Sequence, residues 1–123
     1  MAPLPPYATL LGIRLGAPGV LTMGYAAHLI GSPGRLHGGA VAGLMELAAN
    51  LAVRDALNDE TASLKPVNVT VDYLREGAPE DSHARAVIMR LGRRVANVRV
   101  DAWQADESRL IAAARLNILI ARG

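Results

Sequence analysis

Residues 36–53 read LHGGAVAGLMELAANLAV, and this stretch determines how the rest of the chain can fold. It is rich in Ala, Leu and Met, poor in β-branched residues and longer than an ordinary strand, so we predict a helix over residues 39–57. Residues 58–61 (NDET) supply its stop signal. A helix that is apolar nearly all round must be enclosed by other elements, and a sheet curled around it would enclose it.

Apolar residues change their period from 3.6 to 2 after this helix, which is the pattern of half-buried strands. Turn sequences with Gly, Pro or acidic residues separate the alternating segments, so the last three strands should form an antiparallel meander. One strand precedes the helix, and the proline-rich front reads as extended or loop-like. We predict an α+β fold, a single domain over residues 1–123, with an antiparallel sheet curled around one long central helix. The predicted strands are 20–30, 67–73, 82–91, 96–102 and 110–120.

The composition excludes several classes of function. The chain has no cysteine, which rules out disulfide scaffolds, zinc ribbons and thiol nucleophiles. Its three histidines are scattered without an HExxH motif, and neither a GxSxG elbow nor a phosphate-binding loop occurs. We therefore expect no metal and no other cofactor. Aromatic residues make up only 3% and the basic residues are scattered, so we expect no nucleic-acid partner.

The apolar stretch is long enough to suggest a membrane span, but it carries His37, Glu46 and Asn50. A carboxylate at the centre of a bilayer costs several kcal/mol. The first residues also lack the basic region and apolar core of a signal peptide. We therefore expect a soluble, cytoplasmic protein without a membrane partner.

Glu46 is the only residue with a formal charge between Arg35 and Arg54. An ionised carboxylate in an apolar helix is unfavourable unless it is solvated or hydrogen-bonded. Asn50 follows four residues later and Arg54 four beyond that, so the three form a polar ribbon on one helix face. The ribbon has two interpretations: a catalytic acid, or a structural feature such as a core salt bridge or a polar dimer seam.

A second candidate feature, His37-Gly38-Gly39, lies at the start of the predicted helix. Glycines leave backbone N–H groups unshielded and allow a ligand to approach closely. The helix N-terminus adds a partial positive charge, and free N–H groups beside an open approach suit an oxyanion. We therefore predict that Gly38 and Gly39 contact substrate, although a tight turn alone could also use two glycines.

Together these residues resemble a known family. The run LHGGAVAGLMELAANLA, with an acid nine residues after the histidine, resembles the helix signature of hotdog-fold acyl-CoA thioesterases. The similar branch is that of 4-hydroxybenzoyl-CoA thioesterase and the phenylacetate-degradation thioesterase. The runs KPVNVTVDYLREG, LGRRVANVRVDAWQ and LIAAARLNILI resemble the strands after that helix. The resemblance covers roughly residues 10–121 and implies the hotdog fold.

The resemblance implies hydrolysis of an acyl-CoA thioester. Glu46 matches the catalytic carboxylate, which acts as nucleophile or as general base on water. Gly38 matches the glycine whose N–H polarises the thioester carbonyl, and His37 matches a residue that orients the thioester or supports that hydrogen bond. Asn50 stands where family members often have Ser or Thr that holds the carboxylate or the water.

The chain departs from the family pattern at two positions. Gly31 stands six residues before the histidine, where the family often has Asn or Gln. Pro66 stands on the following strand at a position that is polar in some members. These departures favour one alternative, a non-catalytic hotdog protein that binds or senses acyl-CoA without turnover. A hydratase on a related fold is a second alternative, but its acid and histidine have a different spacing.

The spacing of Gly38 and Glu46 predicts a shared site. Eight residues correspond to roughly 12 Å along one helix, whereas reacting atoms must lie within about 3–3.5 Å. Two antiparallel helices related by a two-fold axis would bring Gly38 of one subunit beside Glu46 of the other. We therefore expect a homodimer at minimum, with a dimer of dimers as the expected assembly and active sites at the subunit interface.

The phosphates of coenzyme A need cations near the mouth of the site. Arg75 ends the strand after the helix, and Arg93 and Arg94 form the only adjacent basic pair, in a strand turn. We predict that these three arginines bind the nucleotide half of the substrate. The alternative is that they are solvated turn residues.

Overall fold

The computed structural model describes residues 4–122. Within this range a six-stranded antiparallel sheet packs against one long helix. The buried apolar side chains of helix and sheet form one core cluster, so the predicted α+β architecture is confirmed. The elements are α1 (Pro6–Leu11), β1 (Ile13–Leu15), β2 (Val20–Met23), α2 (Gly38–Leu57), β3 (Ser63–Tyr73), β4 (Ser82–Leu91), β5 (Val95–Trp103) and β6 (Ala112–Ala121). The strands lie in the sheet in the order β1-β2-β4-β5-β6-β3.

Helix α2 has the bounds that the sequence predicted, apart from one residue at its start. His37 is the N-cap, and Asn58 ends the helix in the left-handed region with φ 50°, donating its N–H to the Arg54 carbonyl. Asparagine tolerates this conformation because its short polar side chain bonds locally. Leu44 and Met45 are fully buried, and burial of each stabilises the fold by about 1.5–3 kcal/mol. No helix in residues 4–122 is apolar and long enough to span a membrane.

Strands β4, β5 and β6 form the predicted meander. Alanines on their inner side, such as Ala84 and Ala114, are buried and let α2 approach the sheet closely. Strand β3 begins at Ser63, four residues before the predicted start, because Pro66 is accommodated beside a register shift between Pro66 and Asn68. It pairs only with β6, so its other edge has no strand partner in the described chain.

Three predictions about the N-terminal third are wrong. Two strands, β1 and β2, precede α2 where the sequence predicted one. The strand predicted over 20–30 ends at Met23, where Gly24 turns away and a 3₁₀ turn follows at Ala27–Leu29. The front of the chain is not wholly extended or loop-like: α1 starts with Pro6, because proline is tolerated in a first turn, and ends at Gly12, whose φ is 69°. Pro3 lies outside the described residues.

Candidate active site

The first turn of α2 leaves one backbone donor free. A helix start has four N–H groups without an intrahelical acceptor. The His37 N–H donates to the Leu29 carbonyl at 2.8 Å, and the Ala40 N–H donates to the His37 carbonyl at 3.0 Å. The Gly39 N–H donates to Nδ1 of His37 at 2.9 Å. Among residues 4–122, the Gly38 N–H has no hydrogen-bond acceptor.

Both glycines at this turn have close side-chain neighbours. A Cβ on Gly38 would lie 3.1 Å from Cζ of Tyr73, and a Cβ on Gly39 would lie 2.9 Å from Nδ1 of His37. Neither position therefore has room for a side chain unless its neighbour moves. Because the Gly39 N–H donates to His37, Gly39 offers no free donor. Its missing side chain leaves room for the His37 ring.

The hydrogen bond from Gly39 also determines the tautomer of the neutral His37 ring. Nδ1 can accept a hydrogen bond only when it carries no proton, so the neutral ring holds its proton on Nε2. His37 is exposed. Its Nε2–H has no acceptor within residues 4–122 and is therefore available as a second donor.

A cavity of about 440 Å³, here called the helix-start cavity, opens at this turn. Leu36, Val41 and Ile111 form its apolar wall, and His37, Gly38 and Tyr73 also line it. Two arginines stand among its polar lining residues. Arg75 donates to the Leu110 carbonyl at 2.8 Å, and Arg35 pairs with Glu76 at 3.0 Å with both side chains exposed. Such an exposed pair adds little stability and leaves the arginine able to exchange partners.

Gly31 also lines the helix-start cavity, directly against His37. A Cβ at this position would lie 3.1 Å from Cα of His37. The position that is often Asn or Gln in the resembled family therefore does face the site, and in this chain it offers no side chain. Pro66 pairs in register with the buried Ile118, away from this cavity.

Glu46 lies farther along α2 and does not line the helix-start cavity. Its side chain is half-buried, and its carboxylate has no hydrogen bond or ion pair within residues 4–122. Oδ1 of Asn50, one turn later, is buried and also lacks a partner. Arg54 turns away and donates to the Ala62 carbonyl at 2.9 Å. The ribbon is therefore not an internal salt bridge of one chain.

Arg93 and Arg94 lie at the opposite end of the sheet from the helix-start cavity. On β6, Ala112 pairs with Tyr73 beside the cavity and Leu119 pairs with Val95 beside the arginine turn. Seven residues of strand correspond to about 23 Å. Of the three predicted phosphate-binding arginines, one chain brings only Arg75 to His37 and Gly38.

The sequence reasoning missed Tyr73 as a site residue. The alternation of Val67, Val69, Val71 and Tyr73 marked it as a residue of the apolar strand face. Its hydroxyl donates to the Gly38 carbonyl at 2.9 Å, across 35 positions of sequence. No local pattern could have indicated this contact.

Two carboxyl groups outside the site have pKa values that local hydrogen bonds lower. The carboxyls of Asp59 and Asp106 have pKa values below their usual range because each accepts hydrogen bonds from a nearby hydroxyl and backbone N–H, those of Thr61 and Ser108 respectively. Both lie in loops away from the helix-start cavity. In the described part of the chain, no group of three or more His, Asp or Glu side chains could hold a metal ion.

Similar folds occur in known proteins. A thioesterase from Haemophilus influenzae superposes with a TM-score of 0.86 at 26% identity, covering 94% of this chain and 82% of that one. A phenylacetic acid degradation-related protein from Ralstonia eutropha gives 0.81 at 26% identity, with coverage of 96% and 92%. A Bacillus halodurans protein crystallised with CoA gives 0.84 at 18% identity, with coverage of 94% and 75%, and shows the shared fold alone. No curated protein matches this chain significantly.

An antiparallel sheet that packs on one long helix, together with these neighbours, defines a hotdog-fold protein of the thioesterase class, as the sequence resemblance predicted. Residues 30–119 match the acyl-CoA thioesterase N-terminal domain family, and the chain belongs to that family. Together the family and the structural neighbours support thioester hydrolysis in general.

Proposed function

We propose that this protein is an acyl-CoA thioesterase that hydrolyses the thioester to a carboxylic acid and free coenzyme A. The observation that carries the proposal is the Gly38 N–H, which has no acceptor within residues 4–122 and belongs to a residue that lines the helix-start cavity. The sequence resemblance assigns this glycine to the carbonyl-polarising position of the family. A backbone donor of this kind stabilises the oxyanion of an acyl-transfer intermediate. The partial positive charge of the α2 N-terminus acts in the same direction.

The reaction uses one donor and one acid. The thioester carbonyl oxygen accepts a hydrogen bond from the Gly38 N–H, which makes the carbonyl carbon more electrophilic. Glu46 then either removes a proton from the water that attacks this carbon or attacks it directly and forms an anhydride that water cleaves. In both cases the carbon–sulfur bond breaks, and the thiolate of coenzyme A leaves and takes up a proton.

A homodimer with shared sites brings these groups together. Three features of the single chain support it: the axial separation of Gly38 and Glu46, the unpartnered Asn50 amide oxygen and the free edge of β3. Val69 points to the helix side of the sheet, in register with the buried Leu116, yet its exposed fraction is 38%. Antiparallel packing of two α2 helices over paired β3 edges would cover these groups. A dimer of dimers is the assembly that we propose.

The same two-fold arrangement gives Arg93 and Arg94 a place at the site although they lie far from it in their own chain. The partner helix runs in the opposite direction, so the partner's β4–β5 turn lies at the end of the dimer that holds this chain's helix-start cavity. We propose that Arg75 of one subunit, with Arg93 and Arg94 of the partner subunit, binds the phosphates of coenzyme A. The match of residues 30–119 to the acyl-CoA thioesterase domain family supports this ligand.

A non-catalytic acyl-CoA sensor is the second candidate. The observation that favours it is Gly31, which faces His37 without the side chain that family members often use to contact the carbonyl or the leaving group. A sensor of this kind would retain the cavity and the arginines but would not need Glu46.

Release of free thiol from a panel of aryl-, short-chain and long-chain acyl-CoAs distinguishes the thioesterase from the non-catalytic sensor. Sustained turnover by the wild-type protein supports the enzyme. Binding of about one acyl-CoA per site without thiol release, measured by calorimetry, supports the sensor. Glu46→Gln should abolish turnover, and Glu60→Gln, which removes an exposed carboxylate after α2, is the matched control.

A further inference from the structure

The peptide group between Gly38 and Gly39 is held from both sides. Its N–H donates to Nδ1 of His37 at 2.9 Å. Its carbonyl accepts from the hydroxyl of Tyr73, also at 2.9 Å. Two consecutive glycines have more backbone freedom than any other residue pair, so a helix start built from them has little rigidity of its own. The two side-chain bonds supply that rigidity.

The position of Tyr73 makes it the link between sheet and helix start. It is the last residue of β3 and pairs in register with Ala112, which is fully buried on the helix side of the sheet. The ring therefore extends toward α2, where its Cζ and Cε1 atoms would lie 3.1 and 3.2 Å from a Cβ on Gly38. The exposed fraction of Tyr73 is 56%, and the ring lines the helix-start cavity.

We propose that Tyr73 is a positioning residue for the thioester site: its hydroxyl orients the Gly38–Gly39 peptide and, through it, the Gly38 N–H. This inference rests on the proposed function, because that function gives the Gly38 N–H its role. We assign Tyr73 no contact with the reacting carbonyl, because its hydroxyl already donates to the Gly38 carbonyl. It acts on the donor by fixing the peptide that follows, so that the N–H of Gly38 points into the cavity before substrate arrives. Preorganised donors of this kind stabilise developing charge without reorganising during the reaction.

Tyr73→Phe isolates the hydroxyl, since it keeps the ring that packs on Gly38. We expect kcat for the best acyl-CoA substrate to fall about 5- to 10-fold, in line with the loss of one hydrogen bond, while KM changes less than about twofold. Tyr25→Phe is the matched control. It removes a half-exposed phenol hydroxyl that makes no hydrogen bond in the described residues, and it should leave both constants unchanged.

A second readout does not depend on turnover. The Gly39 amide should exchange with solvent about 5- to 10-fold faster in Tyr73→Phe, as measured by NMR, because the peptide loses one of its two tethers. Amides in the centre of β5 should keep their wild-type protection. Tyr73→Phe should therefore show both the lower kcat and the faster Gly39 exchange. Tyr25→Phe should show neither.

The outcomes separate the two claims. If the wild-type protein turns over acyl-CoA but Tyr73→Phe keeps wild-type kcat, or lowers kcat only by raising KM, the positioning role is wrong and the proposed function stands. Unchanged Gly39 exchange in Tyr73→Phe would overturn the tether itself. If the wild-type protein shows no turnover, the proposed function and the positioning role fall together, and the exchange experiment still decides whether Tyr73 holds the peptide.

Discussion

Nδ1 of His37 accepts a hydrogen bond from the N–H of Gly39, and within residues 4–122 the neighbouring Gly38 N–H is the donor at the α2 start that has no acceptor. The histidine therefore acts as a helix cap, a function that Asn, Asp, Ser and Thr fill in most proteins. A cap that uses the ring nitrogen nearest the backbone leaves Nε2–H available on an exposed side chain that lines the helix-start cavity. Two roles for His37 can thus be separated by substitution.

We expect His37→Asn to keep the cap and His37→Ala to lose it. The asparagine side chain can accept a hydrogen bond from the same backbone N–H groups, so the free energy of unfolding of His37→Asn should stay within about 0.5 kcal/mol of wild type. His37→Ala should lower the free energy of unfolding by about 1 kcal/mol. If His37 acts through the cap, Asn should also retain most of the turnover that Ala loses. Urea unfolding and steady-state kinetics measure the two effects. A stable Asn variant as inactive as Ala would instead assign the catalytic effect to Nε2–H.

Glu46→Gln should lower kcat at least about 100-fold, which is the lower range for loss of a general base. Glutamine preserves the shape of the side chain but can neither accept a proton at neutral pH nor attack the thioester. Because the Glu46 carboxylate makes no bond within the described chain, the variant should fold normally. Thiol release is the measurement. Near wild-type turnover in a folded Gln variant would remove Glu46 from the mechanism.

Removing both Arg93 and Arg94 should raise KM for acyl-CoA several-fold. KM for a short thioester without the nucleotide should not change, because the arginines are proposed to bind phosphate only. The difference should shrink at high salt, since exposed charges are screened over about 8–10 Å near physiological ionic strength. Arg99→Ala with Arg115→Ala removes the same charge from the outer sheet face and serves as the control. Equal rises in KM for both substrates would show that the turn shapes the fold or the acyl pocket.

Local patterns in the sequence were sufficient to predict the central helix and the meander. The Ala- and Leu-rich stretch and the stop at 58–61 gave α2 to within one residue, and period-two alternation gave β4 to β6. The strand predicted over 20–30 is wrong because Gly24 ends β2 within a stretch that is mostly apolar, so composition alone did not reveal the turn.

The contacts that the sequence could not predict depend on how distant segments of the chain pair with one another. The contact between Tyr73 and Gly38 depends on where β3 ends relative to the start of α2, which is set by pairing with β6 and not by either segment. The opposite locations of Arg75 and Arg93 depend on strand length in the same way. The unpartnered amide oxygen of Asn50 became visible only when the packing around the helix was known.

The central claim is that each site combines Gly38 of one subunit with Glu46 of the other. Gly38→Ala should be inactive, because its Cβ would lie 3.1 Å from Cζ of Tyr73 and would force the ring or the backbone at the donor to shift. Glu46→Gln should be inactive for lack of the acid. A dimer that contains one subunit of each kind would hold one intact site and one doubly altered site.

Mixing and reassembling the two inactive variants is therefore the most direct measurement. Random reassembly makes half of the dimers mixed, each with one of its two sites intact, so thiol release should return to about a quarter of the wild-type rate. Sedimentation should show that the active species is a dimer or larger. Activity of the mixture no higher than that of either parent, or an active monomer, would contradict a site shared between subunits.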